Sequence, residues 1–348
     1  MPEASTVLET HRVAPYPWLL ADVGGSNARF GWVPHAGCVP QHVRTLAVAE
    51  YPEFIDAARA YLDSLAHAGL PGERQPGSAA FAVATAPGEE RVELTNSGWG
   101  FSRRRMRQQL GLRGPLLVLN DFEALALSLP SLRANQWQST PTQASGDGSA
   151  LAAPRFDVPV AVVGPGTGLG VAGLLPTRAG WLAVPGEGGH ATLAPADDFE
   201  SALLAAARRE FPHVSAERFL SGIGLPVLYR SLAEVRGERA LPEVDAKWIV
   251  ERALAQDDAL ASACIESFCA MLGGFAGSVA LTFAARGGVF IGGGIVPRLG
   301  PVFERSAFRE RFEAKGRFSG FLRAVPTALV TDTLVALDGA AQALLQHA

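Results

Sequence analysis

A handful of carboxylates and one imidazole stand where this sequence could do proton and hydroxyl chemistry. Asn120-Asp121 closes the apolar run Leu116–Leu119 and opens a stretch of helix-forming residues. Strand ends in open α/β sheets are where ligands bind, and an aspartate there can accept a proton from a hydroxyl nucleophile. The same pair suits a helix N-cap, for which Asn and Asp are preferred; both readings hold if one residue caps and the other reaches a ligand. Glu187-Gly-Gly-His190 lies in a loop bounded by proline and glycine. A carboxylate and an imidazole in a tight loop can hydrogen-bond vicinal hydroxyls, as a sugar ring offers; an exposed turn is the alternative. With no cysteine or second histidine nearby, the loop does not suggest zinc. Glu217, just before Arg218-Phe-Leu-Ser-Gly222, reads by itself as a solvated helix charge or ion-pair partner. Arg103, Arg104, Arg105 and Arg107 read as a solvated helix face, since no aromatic residues interleave with them.

Positioning these groups falls to three glycine-rich turns: Asp22-Val-Gly-Gly-Ser-Asn-Ala-Arg29, Gly164-Pro-Gly-Thr-Gly-Leu-Gly170 and Gly287-Gly-Val-Phe-Ile-Gly-Gly-Gly294. Each follows or contains a short apolar run with strand character. Glycine lets backbone N–H groups approach a phosphate closely, and a following helix N-terminus favours its charge. The turns therefore suggest a nucleotide held between two halves of the molecule. Lys247 and Lys315 are the only lysines, and neither stands in a Gly-x-x-x-x-Gly-Lys pattern. That excludes a P-loop, whose lysine reaches the β/γ-phosphates, and the protein-kinase set, which needs a strand lysine. The second turn does not fit Gly-x-Gly-x-x-Gly, and no acidic residue stands at a strand end about 20 residues on, as a dinucleotide site requires. Phosphate would have to be held by backbone amides, by hydroxyls such as Ser26 and Thr167, and by a metal ion.

Composition is that of a globular protein able to bury a large core in one large or two medium domains: 348 residues, 48% hydrophobic and 18% charged, with mean hydropathy +0.16. A net charge of −4 gives no support to a nucleic-acid or membrane-surface role. Cys38, Cys264 and Cys269 form no Cys-x-x-Cys pair and suggest neither a disulfide framework nor a zinc site; the last two fall in an apolar helical stretch and read as core. No signal peptide is evident in residues 1–17, and no stretch reads as a clean membrane span. The expected location is cytoplasmic.

Residues 1–16 read as a disordered leader. Strands are expected at Trp18–Val23, Ala28–Val33, Ala79–Ala84, Leu116–Leu119, Val158–Val163, Gly288–Ile291 and Ala328–Val330, each an apolar run bounded by turn residues. Helical spacing marks Tyr51–Ala68, Arg103–Leu110, Phe122–Leu129, Phe199–Glu210, Ser215–Leu220, Leu225–Val235, Ala246–Gln256, Ala259–Ala285 and Leu334–Gln346. Gln136–Asp157, rich in small and polar residues, reads as a long exposed loop. Each half begins with strand, glycine turn, strand. That pattern predicts two α/β domains facing a cleft, with residues 17–130 and 332–348 forming the smaller and 131–331 the larger.

In order and spacing these segments resemble the bacterial glucokinase family of the sugar-kinase/actin/Hsp70 ATPase superfamily. The resemblance rests on Asp22–Arg29, Thr95-Asn96 with Trp99, Asn120-Asp121-Phe122, Gly166-Thr-Gly-Leu-Gly-Val171, Pro185-Gly-Glu-Gly-Gly-His190, His213–Arg218 with Ser221-Gly222, and Gly287–Arg298. It implies an α/β, two-domain actin-like ATPase (ribonuclease H-like) fold with an interdomain cleft. It also implies ATP-dependent phosphorylation of glucose at the 6-hydroxyl. Asp121 would be the general base; Asn120 and Asp121 would bind ring hydroxyls, Glu187, His190 and Glu217 would grip the sugar, and Asn96 would line its pocket. Asp22 would position hydrated Mg²⁺, Gly24, Gly25, Ser26 and Asn27 would cradle phosphate, Gly166, Thr167 and Gly168 would form the second phosphate turn, and Gly292, Gly293 and Gly294 would lie against adenosine. Homodimers occur in the family. A related hexose kinase acting on mannose or glucosamine, or a sugar-sensing regulator without enzymatic activity, is the alternative. The sequence departs from the family at Ser26, where threonine is usual, at Pro165, which removes an N–H donor, in the long 136–157 loop, and in a C-terminal segment short of glycine.

Overall fold

The structure, a computed structural model, describes residues 13–67, 75–85, 88–94, 98–140 and 153–347. The chain divides into a unit of Met1–Leu129 with Leu334–Ala348 and a unit of Pro130–Thr333.

In the first unit, a five-stranded sheet is built on β1 (Trp18–Val23), β2 (Asn27–Val33), β3 (Gln41–Ala47), β4 (Ser78–Val83) and β7 (Leu116–Asn120), in the order β3-β2-β1-β4-β7. β1–β2 and β2–β3 are antiparallel; β1–β4 and β4–β7 are parallel. β5 (Arg91–Glu93) and β6 (Gly100–Ser102) form a separate hairpin. The alternation along β1 explains its burial on both sides. Leu19, Ala21 and Val23 join a core with Phe30, Phe54, Tyr61 and Phe81, while Trp18 and Leu20 face Leu337, Ala340 and Leu344. The first group packs α1 (Phe54–His67) and the second packs α12 (Val335–Gln346), which also lies along α3 (Asp121–Ser128). α2 (Arg103–Gln109) starts at Ser102, whose hydroxyl caps it through the Arg105 N–H.

The second unit repeats the plan. β9 (Val160–Pro165), β10 (Leu169–Thr177) and β11 (Gly180–Gly186) form an antiparallel meander, and β12 (Gly288–Ile291) and β13 (Thr327–Val330) continue it in parallel. With β8 (Trp137–Ser139) the order is β11-β10-β9-β12-β13-β8. One helical layer comprises α4 (Asp198–Ala207), α5 (Leu225–Arg236), α6 (Ala246–Ala255) and α7 (Ala259–Thr282). Its core joins Val163 and Val171 to Phe219, Leu225, Phe268 and Leu272. After β12 come four short helices: α8 (Val296–Leu299), α9 (Pro301–Glu304), α10 (Phe308–Glu313) and α11 (Ser319–Arg323).

Several expectations are corrected. Residues 13–16 are not disordered: Ala14 is buried, its carbonyl accepts the Trp18 indole N–H at 3.0 Å, and Tyr16 stacks on Trp18; residues 1–12 lie outside the described residues. The 136–157 segment is not all exposed loop. Gln136 and Thr140 are buried, and Trp137–Ser139 pairs antiparallel with β13; residues 141–152 lie outside the described residues. Ser215–Leu220 carries only a single 3-10 turn, Ala216–Arg218; at its start Ser215 bridges Thr192 and the Ala216 N–H donates to the Ala191 carbonyl. α7 is, by length and apolarity, long enough to cross a membrane, but most of it is packed inside the second unit, with Cys264 and Cys269 in the core.

Candidate active site

Parallel pairing places the candidate residues of the first unit. Val23, Val83 and Asn120 lie in one row across β1, β4 and β7. The glycine turn after β1 and the Asn120-Asp121 pair therefore stand at the same carboxyl-terminal edge, two strand spacings or about 10 Å apart. Asn120 is the cap of α3. Its Oδ1 accepts the Phe122 N–H at 2.9 Å, and the Glu123 carboxylate reaches back to the Asn120 N–H at 3.3 Å, which completes a capping box. Its Nδ2 donates to the Thr85 carbonyl at 3.3 Å. A second lone pair on Oδ1 and a second hydrogen on Nδ2 remain for a ligand. Asp121 is the first residue of the helix, and its Oδ1 also accepts the Phe122 N–H at 2.9 Å. The helix N-terminus favours its negative charge. Burial pushes the Glu123 carboxyl above the usual range, opposed by the Asn120 N–H and the charge of Arg103.

Asp22 faces Arg29 across the β1–β2 pair, and the two side chains form an ion pair of 2.9 Å. Burial pushes the Asp22 carboxyl above its ordinary value, with the Arg29 bond and charge opposing that shift. The turn between them closes through Gly24 N–H to the Asn27 carbonyl at 2.9 Å, and the Ser26 carbonyl accepts the Val48 N–H. Among the described residues no cluster of three or more His, Cys, Asp or Glu is present that could enclose a metal ion. Asn96 lies outside the described residues.

In the second unit, folding gathers residues that the sequence keeps far apart. β9 and β10 are joined by Gly166-Thr167-Gly168, closed by Gly166 N–H to the Gly168 carbonyl at 2.9 Å. The carbonyls of Gly166 and Thr167 accept the N–H groups of Gly222 and Ile223 at 2.8 and 3.2 Å. In a planar trans peptide C=O and N–H point opposite ways, so the Thr167 and Gly168 N–H groups face away from that segment. The end of β12 lies beside this turn: Gly292 N–H donates to the Val163 carbonyl at 2.9 Å and Ile295 N–H to the Pro165 carbonyl at 3.3 Å. Gly293 has φ +77°, and any side chain there would strike the Pro165 backbone. Gly292–Gly294 and Gly166–Gly168 therefore form adjoining backbone walls.

Glu217 adjoins the same turn. Its Oε2 accepts the Leu169 N–H at 2.9 Å, and its side chain is 18% exposed. Its Oε1 stands 3.9 Å from His190 Nδ1, and His190 Nε2 stands 3.9 Å from Glu187 Oε2. These gaps exceed hydrogen-bond length, and the exposed His190 and Glu187 leave room for ligand hydroxyls between acceptor and donor. Sequence reasoning left three contributors without a role. Arg29 was visible only as part of a motif, and its pairing with Asp22 follows from strand register. Leu169 acts through its backbone, which no side-chain pattern reveals. Ser221 is a buried hydroxyl whose partners lie within its own loop.

Two α/β units, each an antiparallel meander extended by parallel strands and each with a glycine turn at its first hairpin, make up the two-domain actin-like ATPase fold, the class that includes sugar kinases. A family model described as Glucokinase matches residues 19–347. The chain is 45% identical to a glucokinase of Chromobacterium violaceum, over 95% of this chain and 90% of that one. It is 46% identical to a bifunctional protein glk of Burkholderia pseudomallei, over 95% of this chain, but spans only 49% of that relative's length. Among solved structures, a glucokinase from an Antarctic psychrotroph superposes with a TM-score of 0.81 at 37% identity, covering 94% of this chain and 98% of that one. The chain belongs to the glucokinase family.

Proposed function

We infer that this chain transfers the terminal phosphoryl group of ATP to the 6-hydroxyl of D-glucose, giving glucose 6-phosphate and ADP. One observation carries the reading. Glu187, His190 and Glu217, separated by up to 30 residues, converge beside a glycine turn whose Thr167 and Gly168 N–H groups face away from the loop that braces it. A polyhydroxy ligand fits that array of acceptors and donors, and a phosphate fits the turn. The relatives above that are named glucokinase, one of them spanned over 90% of its length, support the same acceptor.

In this reading Asp121 accepts the proton of the 6-hydroxyl as it attacks the phosphorus. A positioned base contributes about 10²–10⁴-fold. Asn120 binds a ring hydroxyl while it caps the helix, and Asn96 is assigned to the sugar from the family resemblance alone. Glu187, His190 and Glu217 hold further hydroxyls of the sugar. Gly24, Gly25, Ser26 and Asn27, with Gly166, Thr167 and Gly168, hold phosphate oxygens, and Gly292–Gly294 lie along the adenosine. Such phosphoryl transfer depends mostly on alignment and charge neutralisation.

The donor set fits a hydrated magnesium ion. Asp22 is the carboxylate of the first turn, and one oxygen is held by Arg29. An ion that keeps several waters needs little more than one carboxylate and the substrate phosphates. When bound, it supplies neutralisation of phosphate charge. The expected location is the cytoplasm. The test is a coupled assay of ADP formation across glucose, mannose and glucosamine, with ATP, ADP and polyphosphate as donors. Glucose-dependent ADP formation from ATP is expected. Failure of glucose to stimulate it would refute the reading.

A further inference from the structure

Ser221 belongs to a motif singled out in the sequence, yet no step above uses it. It is fully buried. Its hydroxyl donates to the Glu217 carbonyl at 2.7 Å and accepts the Gly224 N–H at 3.0 Å. Those two bonds fix the curve of the loop Glu217–Gly224. That loop grips the Gly166–Leu169 turn at three points: Gly222 to Gly166, Ile223 to Thr167, and the Glu217 carboxylate to Leu169. Glu217 thus has two separate engagements. Oε2 braces the turn assigned to phosphate, and Oε1 faces His190 on the side assigned to sugar. Gly168 makes the close approach workable, since a Cβ there would lie 2.5 Å from Glu217 Oε2.

We propose that Ser221 is a positioning residue that couples sugar affinity to nucleotide affinity within the larger unit, through the loop Glu217–Gly224. The proposal rests on the reading of the two ligands as glucose and ATP. A hydroxyl bound to Oε1 fixes the plane of the carboxylate and so fixes Oε2. The Leu169 N–H is then held in place, and the turn is already ordered when phosphate arrives. A ligand on the turn orders the carboxylate for the sugar by the same route. Binding linkage requires the two effects to be equal.

The full-length protein is tested by calorimetry. Glucose dissociation constants are measured with and without saturating Mg·ADP, and ADP constants with and without saturating glucose. For the wild type, each ligand tightens the other by the same factor, about tenfold, within the usual range of coupling. In Ser221→Ala that factor falls below about 2, while the glucose constant without nucleotide changes by less than about threefold. A purely structural role would weaken both constants and leave their ratio intact. Gly168→Ala attacks the brace from the turn side and gives the same loss of coupling, so it decides the matter if Ser221→Ala fails to fold by circular dichroism. Wild-type coupling retained in a folded Ser221→Ala, or in Gly168→Ala where Ser221→Ala does not fold, or no coupling in a wild type that phosphorylates glucose, overturns the proposal. A wild type that neither binds nor phosphorylates glucose overturns the functional reading along with it.

Discussion

Replacing Asn120 with alanine separates the capping role from the ligand role, and the structure sets the size of the effect. The alanine removes the N-cap bond to Phe122, which costs about 1 kcal/mol. It also removes the Thr85 bond, for about another 1 kcal/mol. A loss of about 2 kcal/mol in a unit of this size lowers its melting temperature by about 6 °C. Catalysis should suffer more than stability. The Phe122 N–H is shared between Asn120 and Asp121, so without Asn120 it becomes the sole property of the base. Misplacing a reacting group by about 1 Å costs on the order of 10²-fold. Turnover should therefore fall by about one to two orders of magnitude, with a smaller rise in KM for glucose. Asn120→Ser keeps a good cap but lacks the amide, and should recover about half of the lost stability. Differential scanning fluorimetry and steady-state kinetics on the three proteins provide the assay. An Asn120→Ala protein with wild-type melting and turnover within about twofold of wild type would refute the reasoning.

Two further outcomes follow from buried charge. The Asp22 carboxyl is raised in the fold by burial, so the native state holds its proton to higher pH than the unfolded chain does. Stability is then lost as pH rises from the ordinary aspartate value through the raised one, and the loss stays constant above it. The stability of the wild type should therefore fall more steeply with rising pH across that window than that of Asp22→Asn, which lacks the titrating group and should lose activity; thermal melts at a series of pH values check this. A wild type whose melting temperature rises through that window relative to Asp22→Asn would contradict this sign. In the second unit, buried Arg309 pairs with Glu313 and donates to the carbonyls of Val325, Leu322 and Arg323 and to the Thr327 hydroxyl. Arg309→Met leaves Glu313 buried without this partner, at about 3–5 kcal/mol by chemical denaturation. Lysine should not rescue it, because one ammonium cannot replace a planar fork of donors.

The strands that carry the site were legible because burial on both faces demands apolar runs, and glycine marks where they end. Trp18–Val23 and Val160–Pro165 show both signals. β8 was not legible: three residues, Trp137–Ser139, are too few for a period, and only pairing with β13 makes them a strand. Ala14 and Tyr16 looked like leader because their burial depends on Trp18 and not on their own sequence context. The candidates Asp121, Glu187 and His190 could be read from residue type and position, and Glu217 only through the family resemblance. Their grouping could not, since His190 and Glu217 meet only after the Thr192–Ser215 bridge and the Ala216–Ala191 bond bring their loops together. Residues that act through backbone groups, Leu169 above all, leave no trace in side-chain type.

Asp121→Asn puts the proposed base to the most direct test, because the amide keeps the shape and the helix start but has lost the proton acceptor. Its turnover of glucose and its glucose affinity, measured on the same preparation, should part company: turnover slower by at least about 10²-fold, with a dissociation constant within a few-fold of wild type. Near-normal turnover would contradict the assignment of Asp121 as the group that takes the sugar's proton.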